Sequence, residues 1–232
     1  MINVIGEVME LNDIKELKKI KLISSTESNC YVYKDIIYKV FKNRLIARDR
    51  LDIIKFFLEN DVLHCPKLYD LIYNNNEIIG YSMQYYKKAM PISRINRFNL
   101  SRSKCLELID VYLALKDDNS LCYIDFNRNN VFVNNNKILL LDIDSCLKRT
   151  LESEQVSKEI LKEFILGIIY KTYFFDYETY FTSVEREQIR NILSKNIAGE
   201  NIDSIDDLRK FVVDVSKNDV NKVLKRLHYK IR

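Results

Sequence analysis

The chain has 232 residues, of which 47% are hydrophobic and 30% are charged, and its formal net charge is only +4. This composition allows a sizeable core in one domain or two small lobes, and the diffuse charge argues against a nucleic-acid partner. Five cysteines without a C-x-x-C spacing, together with only two histidines, argue against a disulfide framework and a zinc site.

The first part of the chain carries short alternating patterns that predict an antiparallel sheet. The stretch NCYVYKDIIYKVFK at 29–42 alternates on both sides of Lys34 and Asp35, which predicts a hairpin. The three asparagines at 74–76 predict a second turn, because asparagine tolerates left-handed backbone conformations. Between the two, residues 47–59 place apolar side chains at helical spacing and predict one amphipathic helix.

Helical periodicity dominates from Leu100 onward. Predicted helices cover residues 101–117, 153–175, 184–196, 204–216 and 218–228. The exception is VFVNNNKILLL at 131–141, which predicts a short hairpin with an Asn-rich turn. The longest apolar runs, such as FILGII at 164–169, are too short to span a bilayer, and no signal pattern precedes the first elements. We therefore expect a cytoplasmic protein without a membrane contact.

Acidic residues stand beside apolar runs in LCYIDFNRNNVFVNNNKILLLDIDSC, residues 121–146. Burying an unpaired carboxylate is costly, so a cation or a hydrogen-bond network must compensate it. The predicted hairpin brings Asp125 and Asn130, before its first strand, close to Asp142 at the end of its second. Carboxylate and amide oxygens are the ligands that Mg²⁺ prefers, so the stretch predicts a magnesium site. The alternative is that the two aspartates are a turn residue and a helix cap.

Several motifs in this order resemble the protein-kinase-like superfamily. YIDFNRNN, Tyr123 to Asn130, keeps the Asp and Asn spacing of the catalytic loop, and LLLDIDS resembles the metal-binding strand and turn. IIYKVFK resembles the third strand, with Lys39 as the phosphate-pairing lysine. GYSMQYY resembles the strand that leads into the hinge, and EFILGIIY resembles the central helix of the second lobe. The resemblance covers about residues 20–175.

The resemblance implies an α+β, bilobal kinase-like fold. It implies a small antiparallel β N-lobe with one helix over residues 1–86, a linker over 87–99, and a mostly helical C-lobe over 100–232. It also implies ATP and Mg²⁺ as cofactors and transfer of the γ-phosphate to a hydroxyl group.

The resemblance also implies roles for the polar residues of these motifs. Lys39 would bind the α and β phosphates, and Asp125 would orient the acceptor hydroxyl and accept its proton. Asn130 and Asp142 would hold the metal ions. Nucleotide contacts are further expected from the hinge and from the turn SSTESNC, which replaces the glycine-rich loop of the family, at Met83, Gln84, Tyr85, Ser25 and Ser28.

Lys39 is expected to pair with an acidic residue on the intervening helix. Asp52 is the first candidate because it lies beside the apolar stripe, with Glu59, nearer the helix end, and Asp49 as alternatives. Asp144 occupies the position that the family usually fills with glycine, and it is expected only to cap the next turn.

The phosphate acceptor stays open at this point. A protein Ser/Thr hydroxyl is the first hypothesis, and a small-molecule hydroxyl, as in aminoglycoside- and choline-kinase-like relatives, is the second. The short segment after Asp142, without an A-P-E sequence, favours the second. The third hypothesis is a pseudokinase that serves as an interaction module. The intact set of Lys39, Asp125, Asn130 and Asp142 argues against it.

Overall fold

The computed structural model describes residues 9–10, 18–19, 26–92, 98–174, 182–184, 187 and 202–217. These residues form a mixed α/β structure with a largely antiparallel sheet and several helices. Within these ranges, no helix combines the length and the apolar character needed to cross a membrane. All five cysteines are free thiols.

The first part of the chain folds into a six-stranded sheet. Its strands are β1 (Met9–Glu10), β2 (Lys18–Lys19), β3 (Ser28–Tyr33), β4 (Ile36–Phe41), β5 (Leu68–Asn74) and β6 (Glu77–Gln84). They lie in the order β1-β5-β6-β4-β3-β2, and only the edge pair β1/β5 is parallel. The hairpins β3/β4 and β5/β6 confirm both predicted turns, which adopt left-handed backbone at Lys34, Asn75 and Asn76.

The helix predicted over 47–59 is divided into α1 (Arg44–Asp49) and α2 (Leu51–Glu59). The side chain of Asn43 accepts a hydrogen bond from the backbone of Leu45 and caps α1. Arg50 lies between the two helices, with φ −94° and ψ −2°. The apolar face of α2 is buried through Ile53, Ile54 and Phe57.

The later part of the chain is mainly helical, as predicted. Its helices are α3 (Phe98–Asp118), α4 (Leu151–Phe174) and α5 (Ile205–Lys217). They confirm the predictions over 101–117, 153–175 and 204–216, whereas those over 184–196 and 218–228 fall almost entirely outside the described residues. Helix α3 packs against α4 and α5. The shared core includes Leu108, Ile109, Leu115, Leu161, Ile165 and Leu208.

Five short strands follow β6 along the chain. They are β7 (Met90–Pro91), β8 (Leu121–Tyr123), β9 (Val131–Asn134), β10 (Lys137–Leu140) and β11 (Cys146–Lys148). The predicted hairpin is confirmed as β9/β10, with β7 added beside β9. Strand β11 pairs antiparallel with β8. This last pairing brings the segment after β10 back against the segment before residue 125.

Candidate functional site

The polar residues singled out in the sequence converge from three segments. β4 supplies Lys39, the loop between β8 and β9 supplies Asp125 and Asn130, and the turn after β10 supplies Asp142. The Nζ of Lys39 donates to Asp142, and the Nδ2 of Asn130 donates to the Oδ2 of Asp125 at 2.6 Å. The backbone N–H of Leu141 donates to the carbonyl of Asn130 at 2.7 Å, which ties the loop to the end of β10. All four side chains therefore lie in one site.

Lys39 is almost completely buried, with a side-chain exposure of 5%. Besides Asp142, its Nζ contacts the Oδ1 of Asp144 at 2.6 Å. Burial alone would lower the pKa of Lys39, but the carboxylates of Asp144 and Asp142 raise it above its ordinary value. The lysine is therefore a charged group inside the protein, and the two carboxylates stabilise that charge.

The expectation that Asp144 only caps the next turn is wrong. Its side chain is fully buried, with Oδ1 accepting from the hydroxyl of Tyr81 at 2.5 Å and Oδ2 accepting from Nη1 of Arg50 at 2.6 Å. Burial would raise the pKa of Asp144, but Lys39 and the hydrogen bonds from Tyr81 and Arg50 hold it below its ordinary value. Asp144 is thus an ionised residue at the centre of the site.

Arg50 and Tyr81 are site residues that the sequence analysis missed. Besides Asp144, the guanidinium of Arg50 contacts Glu27 at 2.7 Å, in the Ser/Thr/Asn-rich turn before β3. The available signal was Arg50 itself, a cation at the start of an amphipathic helix, together with Asp144 as an anion among apolar residues. Neither signal specifies that the two side chains meet.

Asp52 does not occupy the predicted position beside Lys39. Its side chain is 77% exposed and lies 3.7 Å from the Nζ of Lys148. The physical reason is the helical face: α2 buries Ile53 and Ile54, and the preceding residue points outward. The alternatives Asp49 and Glu59 are also exposed. The carboxylates that hold Lys39 come instead from the turn after β10.

Asp125 is half-buried and receives hydrogen bonds from the side chains of Asn127 and Asn130. Burial raises the pKa of Asp125, the Asn127 hydrogen bond lowers it, the nearby charge of Asp142 raises it, and the net shift is upward. A carboxylate with a raised pKa and a fixed orientation is suited to accept a proton from a hydroxyl group.

Asn130 and Asp142 have the donor chemistry expected of a magnesium site. Because the amide nitrogen of Asn130 is bound to Asp125, its oxygen is the atom left to face a cation. Asp142 has a left-handed backbone, with φ 58° and ψ 42°, and 29% of its side chain is exposed. Among the described residues, no group of three or more His, Cys, Asp or Glu side chains could hold a metal ion. One carboxylate and one amide would fit Mg²⁺ only together with water and phosphate oxygens.

Of the five residues predicted to contact the nucleotide from the hinge and from the turn before β3, the structure describes four. Met83 is buried on β6 opposite Ile37 of β4. The backbone N–H groups of Gln84 and Tyr85 donate at 2.9 Å to carbonyl oxygens of the protein, those of Lys67 and Asp35, so these two donors are engaged. Ser28 is buried at the start of β3, whereas Ser25 lies outside the described residues.

A cavity of about 560 Å³ opens beside Asp125, between the start of α2 and strand β11. Its wall includes the acidic residues Asp125, Asp144 and Asp52, the cation Arg50 and apolar residues such as Leu147. We call it the Asp125 pocket. Because this wall carries carboxylates, a cation and apolar side chains, the pocket can take a polar molecule of moderate size next to the carboxylate of Asp125.

In comparisons with known proteins, no protein-family model and no curated protein matches the chain. The interpretation of the site therefore depends on the chemistry of its residues.

Proposed function

We propose that the protein is an ATP- and Mg²⁺-dependent kinase that transfers the γ-phosphate to a hydroxyl group. The observation that carries the proposal is the convergence of Lys39, Asp125, Asn130 and Asp142 from three separate segments. Phosphoryl transfer needs little covalent chemistry and depends on positioning and on neutralising phosphate charge. A buried lysine beside a partly exposed carboxylate is suited to this task, because the lysine would neutralise phosphate charge and the carboxylate would hold a metal ion.

In this proposal the fold is bilobal and kinase-like. The sheet and α1–α2 would form the N-lobe expected over residues 1–86, and the expected linker, 87–99, would include β7 and the start of α3, the first helix of the C-lobe expected over 100–232. Met83 would border the adenine, and groups of the hinge other than the two engaged N–H groups would bind it. The turn before β3, with Ser25 and Ser28, would cover the phosphates.

Each polar residue then has a defined task. Lys39 holds phosphate oxygens through its ammonium, Asn130 and Asp142 hold Mg²⁺, and Asp125 orients the acceptor hydroxyl and accepts its proton. The metal would supply neutralisation of the phosphate charge. Asn127 and Asn130 keep the carboxylate of Asp125 in one orientation by donating to it.

The acceptor is better explained as a small molecule than as the protein hydroxyl first expected. Strand β11 ends at Lys148 and α4 begins at Leu151, so little chain is available there to form a peptide-docking segment. The Asp125 pocket is instead bounded directly by β11. We therefore favour a small-molecule hydroxyl as acceptor, with a protein Ser/Thr hydroxyl as the second candidate.

Incubation with γ-labelled ATP and cell extract separated into protein and small-molecule fractions tests the proposal. We expect Mg²⁺-dependent label in the small-molecule fraction, lost in the Asp125→Asn variant. Label in the protein fraction alone would favour a protein kinase. An unchanged protein that binds ATP but transfers no phosphate to either fraction would contradict the proposal and indicate a pseudokinase.

A further inference from the structure

Lys39 is held by two carboxylates that differ in their access to solvent. The side chain of Asp144 is fully buried, whereas that of Asp142 is 29% exposed. A cation arriving from solvent can reach the exposed part of Asp142 and compete with Lys39 for its oxygens, whereas the side chain of Asp144 offers no solvent-exposed surface for such a competition. Asp144 is therefore the carboxylate that stays bound to Lys39 when Asp142 binds a cation instead.

Asp144 is in turn fixed by donors from three different elements. Its Oδ1 accepts from Lys39 on β4 at 2.6 Å and from Tyr81 on β6 at 2.5 Å. Its Oδ2 accepts from Arg50, directly before α2, at 2.6 Å. Hydrogen bonds to an ionised group are stronger than neutral ones, so a carboxylate with these three donors has one defined orientation.

The charge that the helix contributes is opposite to the one predicted. The start of α2 directs the cation Arg50 toward Asp144, whereas the acid Asp52 is exposed and lies beside Lys148. The ion pairs of the site then join two cations, Lys39 and Arg50, to the carboxylates of Asp142 and Asp144, and Glu27 also contacts Arg50. An additional acid from α2 would add a further negative charge to this poorly solvated set, at a cost.

We propose that Asp144 is the positioning residue of Lys39, and that Arg50 and Tyr81 hold Asp144 in place. The turn after β10 thereby supplies the carboxylate expected from the helix. This inference rests on the proposed function, because the group being positioned is the ammonium that binds the phosphates of ATP.

Titration calorimetry with ATP and Mg²⁺ on matched variants tests the inference. Asp144→Asn keeps the size of the side chain and removes its charge, and we expect it to weaken ATP binding by about tenfold or more. In a Lys39→Met background the same substitution should cause no further loss, because no lysine remains to be positioned. Asp52→Asn tests the helix acid first expected as the partner of Lys39, and Glu59→Gln, at an exposed acid outside the Asp125 pocket, is the control that should leave ATP affinity unchanged.

The outcomes separate a positioning role from a structural one. An equal loss of affinity in both backgrounds would show that Asp144 acts only through stability, and a loss on Asp52→Asn with none on Asp144→Asn would restore the helix acid as the partner. Either result overturns the inference.

A second background keeps the test decisive should Asp144→Asn not fold. The double variant Arg50→Gln/Asp144→Asn removes one cation together with one anion, so it keeps the charge balance of the site. If this double variant bound ATP as tightly as Arg50→Gln alone, the inference would be overturned. If the protein without substitutions binds ATP but transfers no phosphate, the proposed function is overturned and this comparison of affinities stays valid. If it binds no ATP, the proposed function and the inference are both overturned.

Discussion

Asp144 illustrates how a residue can be buried with its charge intact. An unpaired carboxylate in the interior would be neutralised or excluded, but the donors around Asp144 hold its pKa below the ordinary value. Removing one member of such a buried set typically costs about 3–5 kcal/mol, because the partner is left uncompensated. The stability of the site therefore depends on keeping these charged residues together.

Changing Asp125 or Asp142 to asparagine is expected to affect turnover in one case and ATP binding in the other. Asp142→Asn removes the carboxylate that is proposed to bind the metal, and it should abolish most Mg²⁺-dependent ATP binding. Asp125→Asn can still accept and donate hydrogen bonds but cannot take the hydroxyl proton, so binding should persist while turnover falls by about 10²-fold or more. Calorimetry and steady-state kinetics measure the two effects, and the reverse pattern would contradict the assigned roles.

Cys30 offers a direct probe of nucleotide occupancy. It is half-buried on β3, opposite Lys39 in the strand register. Burial raises the pKa of its thiol, the charge of Lys39 lowers it, that of Asp142 raises it, and the net shift is upward. We expect slow alkylation of Cys30 that ATP with Mg²⁺ slows further, as measured by peptide mass spectrometry.

Cys65 is the matched control for this labelling experiment. It lines a separate cavity with His64 and Tyr86, and burial raises its pKa to about 12. Its slow alkylation should be the same with and without nucleotide. Equal protection of both thiols would indicate a general loss of mobility instead of occupancy next to Lys39.

The sequence was sufficient for those site residues that local spacing determines. Asp125 and Asn130 belong to one loop, and the hairpin after them brings Asp142 close. Arg50 and Tyr81 could not be predicted in this way, because they lie 94 and 63 residues from Asp144 and no local pattern specifies the contact. Burial of Asp144 depends on tertiary packing, so a family-based expectation for its position was wrong.

At the scale of elements, periodicity predicted the long helices and the hairpins but not their interruptions. Apolar spacing continues across residues 47–59, and so the break at Arg50 was hidden. Strands β7, β8 and β11 contain only two or three residues each, too few for an alternating pattern to appear. Yet β11, which is held in place by its pairing with β8, bounds the Asp125 pocket.

The close pairing of β4 with β6 requires a glycine beside Lys39. A Cβ atom added at Gly80 would lie 2.1 Å from the carbonyl oxygen of Lys39, far inside van der Waals contact. We expect Gly80→Ala to displace β4, lower the melting temperature and weaken ATP binding. Thermal unfolding and calorimetry measure both quantities.

Gly167→Ala is the control for this substitution. Gly167 lies within α4, and apart from its chain neighbours and the nearby backbone of the helix, an added Cβ atom would meet no atom within 4 Å. Alanine favours the helix over glycine by about 0.5–1 kcal/mol, so this variant should be as stable as the unchanged protein or slightly more so. If Gly80→Ala behaved in the same way, the strand pairing beside Lys39 would be looser than the structure indicates.

At the scale of the whole molecule, the site joins parts of the chain that are distant in sequence. Lys39 and Arg50 belong to the sheet and its helices, whereas Asp142 and Asp144 follow the hairpin β9/β10. These ion pairs are direct links between the two parts. A nucleotide with its metal would contact both sides and add further links that exist only in the folded state.

ATP with Mg²⁺ is therefore expected to raise the melting temperature of the protein. A ligand at a hundredfold excess over its Kd stabilises the folded state by about 2.7 kcal/mol, which corresponds to roughly 5–10 °C for a chain of this length. Chelation of Mg²⁺ should remove most of the increase, because Asn130 and Asp142 would then face the phosphates without a cation between them. Thermal scans with ATP alone, Mg²⁺ alone and both together measure the effect. An increase with ATP that is indifferent to Mg²⁺ would place the phosphates away from Asp142, and no increase at millimolar nucleotide would favour a module that does not bind ATP.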